Sequence, residues 1–222
     1  MNKNVAMIPA RLGSQRLKKK NLELFGEITL IEHAILRCKS AGVFDSIYVN
    51  SESLVFKDFA DKHGVDFYHR AEVLGNNKAT SEEFVEDFLR NTECKSLFQI
   101  HSITPLLGVD EIQKFVNFCN DNDQFDTVLS CINDQIEVAY ENKPVNFSLT
   151  EKTNSQDLLP VQRVTWSATK WSRETYLKTK DNSGIGTYSG NVGFYSVPAY
   201  TGLAIKTIED LKVANALREA LK

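Results

Sequence analysis

From residue 4 to about 130 the chain alternates short apolar runs with segments of helical period, and this alternation restricts the fold more than any other feature. Successive βα units of this kind build a mostly parallel sheet flanked by helices, an α/β fold. Residues 5–9 read as a buried strand. Thr29-Leu-Ile-Glu32 is a capping box opening a helix, and Leu30, Ile31, Ala34, Ile35, Cys38 and Ala41 keep its apolar period until Gly42 ends it. A strand at 47–49, a helix across 54–60 and a short strand at 65–68 follow. Thr80-Ser-Glu-Glu83 caps another helix, with Phe84, Val85, Phe88 and Leu89 on one face. Residues 96–100 give the fourth strand, Ile112, Phe115, Val116 and Cys119 mark a helix after Pro105, and 125–132 give a fifth strand.

Beyond about Asp134 the pattern weakens. Residues 141–162 are polar, rich in Asn, Lys, Ser and Thr with Pro144 and Pro160, and read as an arm leaving the regular units. A strand returns at 194–197, and Thr207-Ile-Glu-Asp210 introduces a closing helix through Ile208, Leu211, Ala214, Leu217 and Leu221. With 222 residues, 42% hydrophobic and 25% charged, one large domain spanning 1–222 is the expectation. The balance of 26 basic against 29 acidic residues gives a net charge of −3, which argues against a nucleic-acid partner, so any anion site must be local. No run has the length of a signal core or a membrane span, and the expected location is the cytoplasm, away from membranes. Cys38, Cys94, Cys119 and Cys131 form no CxxC pair and read as buried small hydrophobes. Asn146-Phe-Ser148 matches a glycosylation triplet, which has no meaning without a secretory signal.

The chemistry concentrates in Ile8-Pro-Ala-Arg-Leu-Gly-Ser-Gln-Arg-Leu-Lys-Lys-Lys-Asn21, directly after the first strand, where open α/β sheets place their ligand crevice. Arg11, Arg16, Lys18, Lys19 and Lys20 are its cations, and it contains no acid. Gly13 lets backbone approach a phosphate, Ser14 adds a hydroxyl and an amide, and Arg11, Arg16 and Lys20 can surround a polyphosphate. The same run also reads as a solvated basic loop, and residue types alone leave both readings open. Neither GxxxxGK[ST] nor GxGxxG is present. Gly184-Ile-Gly186-Thr-Tyr-Ser-Gly190 is one residue too long for the latter, which lowers a P-loop ATPase and a Rossmann dehydrogenase.

Ile8-Pro-Ala-Arg11-x-Gly13-Ser14-x-Arg16-Leu17-x-x-Lys20-Asn21 resembles the N-terminal signature of the cytidylyltransferases that activate sugar acids: the acylneuraminate (CMP-sialic acid) synthetases, their legionaminate and pseudaminate relatives and, more distantly, the CMP-KDO synthetases. Asn77-Lys-Ala-Thr-Ser81 stands where that family has its cytosine-contacting loop, Ile103-Thr-Pro-Leu106 where it has Thr-Ser-Pro-Leu, and Ser155-Gln-Asp-Leu-Leu-Pro160 resembles Arg-Arg-Gln-Asp-Leu-Pro. The resemblance implies a nucleotide-diphospho-sugar transferase type of fold and a homodimer joined by a protruding arm, here 135–170. It implies CTP and a sugar acid as substrates. Arg11, Gly13, Ser14, Arg16 and Lys20 would hold the triphosphate, Asn21, Ala79 and Ser81 would meet ribose and cytosine, and His101, Thr104 and Gln156 are the candidates for sugar contact.

The match breaks at Leu203-Ala204-Ile205-Lys206-Thr207-Ile208-Glu209-Asp210, where the family has metal-binding aspartates at the positions of Ala204 and Lys206. Asp210 reads as a helix cap. No protein metal ligand is therefore assigned. Two explanations stay open. Lys206 supplies part of the metal's charge, with Mg²⁺ carried on the CTP phosphates, and joins Arg11, Arg16 and Lys20 as catalytic; or the chain is an impaired nucleotide- or sugar-binding homologue. A nucleotidyltransferase of the same fold using another base is a third reading. His101 is expected at the end of the fourth strand, facing the crevice. Trp166 and Trp171 are expected in an arm-mediated dimer interface.

Overall fold

The computed structural model describes residues 4–221, so residues 1–3 and 222 of the expected 1–222 domain lie outside it. The elements follow in the order β1 (Asn4–Pro9), β2 (Leu24–Phe25), β3 (Ile28–Thr29), α1 (Leu30–Ala41), β4 (Ser46–Ser51), α2 (Val55–His63), β5 (Asp66–His69), α3 (Ser81–Asn91), β6 (Ser96–Ile100) and α4 (Val109–Asp121). They continue with β7 (Thr127–Asp134), β8 (Ala139–Tyr140), β9 (Lys143–Pro144), β10 (Val161–Ser172), α5 (Arg173–Ser183), β11 (Val192–Ser196) and α6 (Ile208–Ala220).

Seven strands form the main sheet in the order β11-β7-β10-β6-β1-β4-β5. Only β10 runs antiparallel to its neighbours. The chain winds from β1 outward through β4 to β5, then returns to place β6 on the other side of β1. That reversal makes β1 and β6 the switch point, where a crevice opens outside the strand ends.

Helices cover both faces. Ile8, Ile31, Ile35, Phe56, Phe98, Phe115 and Val128 pack in one layer beneath α1, α2 and α4, while Val5, Met7, Phe88, Leu89, Leu97, Trp171 and Tyr176 pack beneath α3 and α5. A third cluster joins Phe25 and Leu30 to Ile205, Leu211 and Ala214, which seats α6 against the β2–β3 hairpin. The capping boxes at Thr80/Glu83 and Thr207/Asp210 form in full. At α1 only half forms: the Thr29 hydroxyl accepts from Glu32 N, but the Glu32 carboxylate turns to Lys62 (2.6 Å) and His63 (2.8 Å) of α2.

The expected arm is shortened. Residues 161–170 are not part of an excursion but most of β10, a twelve-residue strand between β7 and β6. Its buried polar side chains hid it from hydrophobic patterning: Ser167 and Thr169 are fully buried and Lys170 is 6% exposed. Partners inside the fold make most of this tolerable, with Ser130 and Thr165 hydroxyls 2.9 Å apart, Ser167 Oγ donating to Thr165 Oγ1 and Lys170 Nζ donating to Phe125 O at 2.6 Å. The excursion proper is 135–160. Its base is closed by Asn146, whose side-chain amide donates to Ile136 O and Leu159 O and accepts from Val138 N.

The tryptophans move with it. Trp171 is buried in this chain's own core, its indole N–H donating to Thr187 O, and Trp166 sits half-buried at the bulge of β10, edge-on to Tyr188. Cys38, Cys119 and Cys131 are buried as expected, while Cys94 is half-buried. Among the described residues no helix is long and apolar enough to cross a membrane.

Candidate active site

The basic loop leaves β1 at the switch point and folds back on itself. Asn21 staples it: the buried amide donates to Arg11 O at 3.0 Å and accepts from Ser102 Oγ at 2.7 Å. Asn21 also lines the crevice that the loop encloses, so the residue expected at the ribose stands at the site while it holds the loop. One acid-base pair and one arginine–carbonyl bond fix the loop from outside. Glu52, just past β4, accepts from Leu12 N at 2.9 Å and from Arg70 Nη2 at 2.9 Å, and Arg70 Nη2 also donates to Ala10 O. Arg11 Nη1 donates to Asn76 O, joining the loop to residues 76–80.

The crevice enclosed this way has a volume of about 210 Å³. Arg11, Ser14 and Lys20 line it on one side, His101 and Ile103 on another, and Arg70 with Phe84 of α3 on a third. The Arg70 guanidinium lies 4.9 Å from the Phe84 ring centroid, a cation–π stack at the wall. Gly13 lines a larger, more open cavity of about 860 Å³ on the far side of Arg70, with Glu52, Gly75 and Asn76. Arg16 is exposed at the rim.

Charge accumulates here. Lys20 is pushed down to about 8, first by burial and then by Arg16 and Arg11, with a smaller effect from Lys206. Burial, and next the charge on Lys20, pushes His101 down to about 4, so the imidazole is neutral at pH 7. The His101 ring meets the Gln99 side-chain amide beneath it. An unpaired anion is what such a set of cations lacks, and the crevice is suited to a phosphate chain.

Several expected residues are placed elsewhere. The Thr104 hydroxyl is buried and donates to His101 O, and its own carbonyl accepts from Arg37, so it braces the loop after β6. Ala79 and Ser81 stand at the start of α3, outside the lining, where Ala79 N donates to Asn76 Oδ1. Gln156 is exposed on the excursion, and its carbonyl accepts from Gln135. Lys206 is exposed beside Ala204, Arg163 and Asp210, around a cavity next to the crevice. The sequence reading missed Arg70, Phe84 and Glu52. The available signal was position: Arg70 and Glu52 directly follow strands, at the sheet end where ligands bind.

The residues present do not fit a divalent cation. No group of three His, Cys, Asp or Glu side chains able to hold a metal occurs among the described residues. Asp210, the carboxylate next to Lys20, accepts from Lys206 N and Thr207 N at 2.8 Å each, the geometry of a helix cap.

The sequence profile described as "Cytidylyltransferase" matches residues 5–219. The chain is 26% identical over 199 residues to the N-acylneuraminate cytidylyltransferase of Streptococcus agalactiae, covering 84% of this chain and 48% of that one. It is 28% identical over 143 residues to the enzyme of the same name from Escherichia coli, covering 64% and 32%. To the pseudaminic acid cytidylyltransferase of Campylobacter jejuni it is 27% identical over 130 residues, covering 55% and 56%. These matches span about a third to just over half of the relatives' lengths. A solved CMP:2-keto-3-deoxy-manno-octonic acid synthetase with CTP superposes with a TM-score of 0.74 at 16% identity, covering all of both chains, which shows a shared fold.

Proposed function

The chain belongs to the cytidylyltransferase family, and from that premise we propose that it transfers CMP from CTP to a 2-keto-3-deoxy sugar acid of the nonulosonate class, such as sialic, legionaminic or pseudaminic acid. The observation that carries this reading is the crevice at the β1/β6 switch point, walled by Arg11, Ser14, Lys20 and Arg70. The names of the relatives support the sugar class.

In this reading the triphosphate lies along the basic loop. A hydroxyl oxygen of the sugar acid bonds to the α-phosphorus in line and passes its proton to water, while the bond from that phosphorus to the bridging oxygen breaks and pyrophosphate leaves with the bond's electron pair. The protein's part is positioning and charge neutralisation, with no covalent intermediate. Arg11, Arg16 and Lys20 hold the phosphates. The neutral His101 faces the acceptor side, and the sheet ends keep the two substrates aligned. The excursion 135–160 supplies a homodimer contact.

The test is pyrophosphate release from CTP with a panel of sugar acids, beside UTP, GTP and ATP. Release with CTP and a nonulosonate alone is expected, and Arg11→Ala should lower kcat/KM about 100-fold, as loss of one charged phosphate contact does. Ala204 and Lys206, standing where the family has aspartates, favour a second reading, an impaired homologue. CTP binding without release under any acceptor would select it.

A further inference from the structure

The cations around the crevice come from two separate parts of the chain. Arg11, Arg16 and Lys20 belong to the basic loop, and Lys206 belongs to the segment that leads into α6. That segment is strapped to the crevice wall: Ile205 N donates to Ile103 O at 2.7 Å, and Ile103 is itself a lining residue. The Ile205 side chain is fully buried, so in this extended stretch Ala204 and Lys206 face the opposite way, toward the neighbouring cavity with Arg163. The charge of Lys206 is felt at Lys20.

Of the carboxylates near these cations, Glu52 is engaged by Leu12 N and the Arg70 guanidinium. Asp210 is already occupied with the backbone N–H groups of Lys206 and Thr207. A divalent cation arriving here would find no free carboxylate and several like charges, while a polyanion would find the reverse.

We propose that this site binds the nucleoside triphosphate as its free, fully ionised anion, with the Lys206 ammonium neutralising phosphate charge, so that binding requires no divalent metal. The proposal rests on the CTP reading above and extends it to the ionic form of the substrate. On binding, the exposed Lys206 side chain turns from the neighbouring cavity to the phosphates, and the remaining charge is met by Arg11, Arg16 and Lys20.

Calorimetric titration of CTP into the full chain, in EDTA and in Mg²⁺, decides it. The wild type should bind CTP in EDTA within about threefold of its affinity in Mg²⁺. Lys206→Ala should weaken binding in EDTA by about tenfold, the effect of one lost charge-assisted contact. Lys206→Arg should restore it, and Lys206→Asp should bind poorly in EDTA yet recover in Mg²⁺. The Lys206 side chain is exposed and its hydrogen bond to Asp210 comes from the backbone, so these variants keep the fold. Wild-type binding that collapses in EDTA but persists in Mg²⁺ overturns the proposal, as does unchanged binding by Lys206→Ala. No CTP binding in either condition overturns the CTP reading itself and this inference with it.

Discussion

Lys20 shows how one residue couples the loop to its ligand. Burial and the neighbouring arginines lower its ammonium from an ordinary 10.5 to about 8, so the free protein begins to lose that charge just above neutrality. A bound triphosphate favours the charged form and pulls a proton back. CTP binding should therefore take up a proton above pH 8, with affinity falling as pH rises through 8. Titration in buffers of different ionisation heat reads the uptake directly, and Lys20→Arg, permanently charged, should abolish it. Lys20 and Arg11 were legible in the sequence because they stand in one basic run after a strand. Arg70 carried only the weaker signal of following a strand, and its reach back across β4 to Ala10 is set by the strand order.

Between elements, Glu52 joins the ends of β1, β4 and β5. Its carboxylate meets Leu12 N, Ser51 Oγ and the Arg70 guanidinium, whose side chain is only 2% exposed. Removing the carboxylate strands a buried cation, although Ala10 O and Asn50 still accept from it. Glu52→Ala should therefore cost about 3 kcal/mol in urea unfolding, near the low end for a broken buried pair, and should weaken CTP binding because the loop loses its brace. Glu52→Gln, which can still accept from Leu12 N, should cost less. Helix starts were the most legible elements: Thr80/Glu83 and Thr207/Asp210 cap as their spacing predicts. Thr29/Glu32 does so only in part, because Lys62 and His63 compete for the carboxylate and hold it below the usual range.

At the scale of the whole molecule the excursion 135–160 is where exposed apolar side chains collect. Ile136, Tyr140, Val145, Leu149 and Leu159 are each more than half exposed along it, an apolar surface suited to a second copy. Because Asn146 bonds both Ile136 O and Leu159 O, the two ends of the excursion lie close together, and residues 139–157 can be replaced by a short Gly-Ser linker that keeps the buried Leu158. The full chain should be a dimer by light scattering and the shortened chain a monomer; a monomeric full chain would end the dimer proposal. The sequence by itself determined the βα alternation, the helix caps and the position of the basic loop, because these depend on near neighbours and on the periods of 2 and 3.6 residues. Only the tertiary structure decided that 161–172 is an interior strand, that Trp171 is core, that Thr104 and Asn21 brace the loop, that Arg70 and Phe84 wall the crevice, and that Lys206 stands at the cavity next to it. Antiparallel pairing across 27 to 44 residues and polar groups satisfied inside a sheet leave no local period to read; they exist only once distant segments have met.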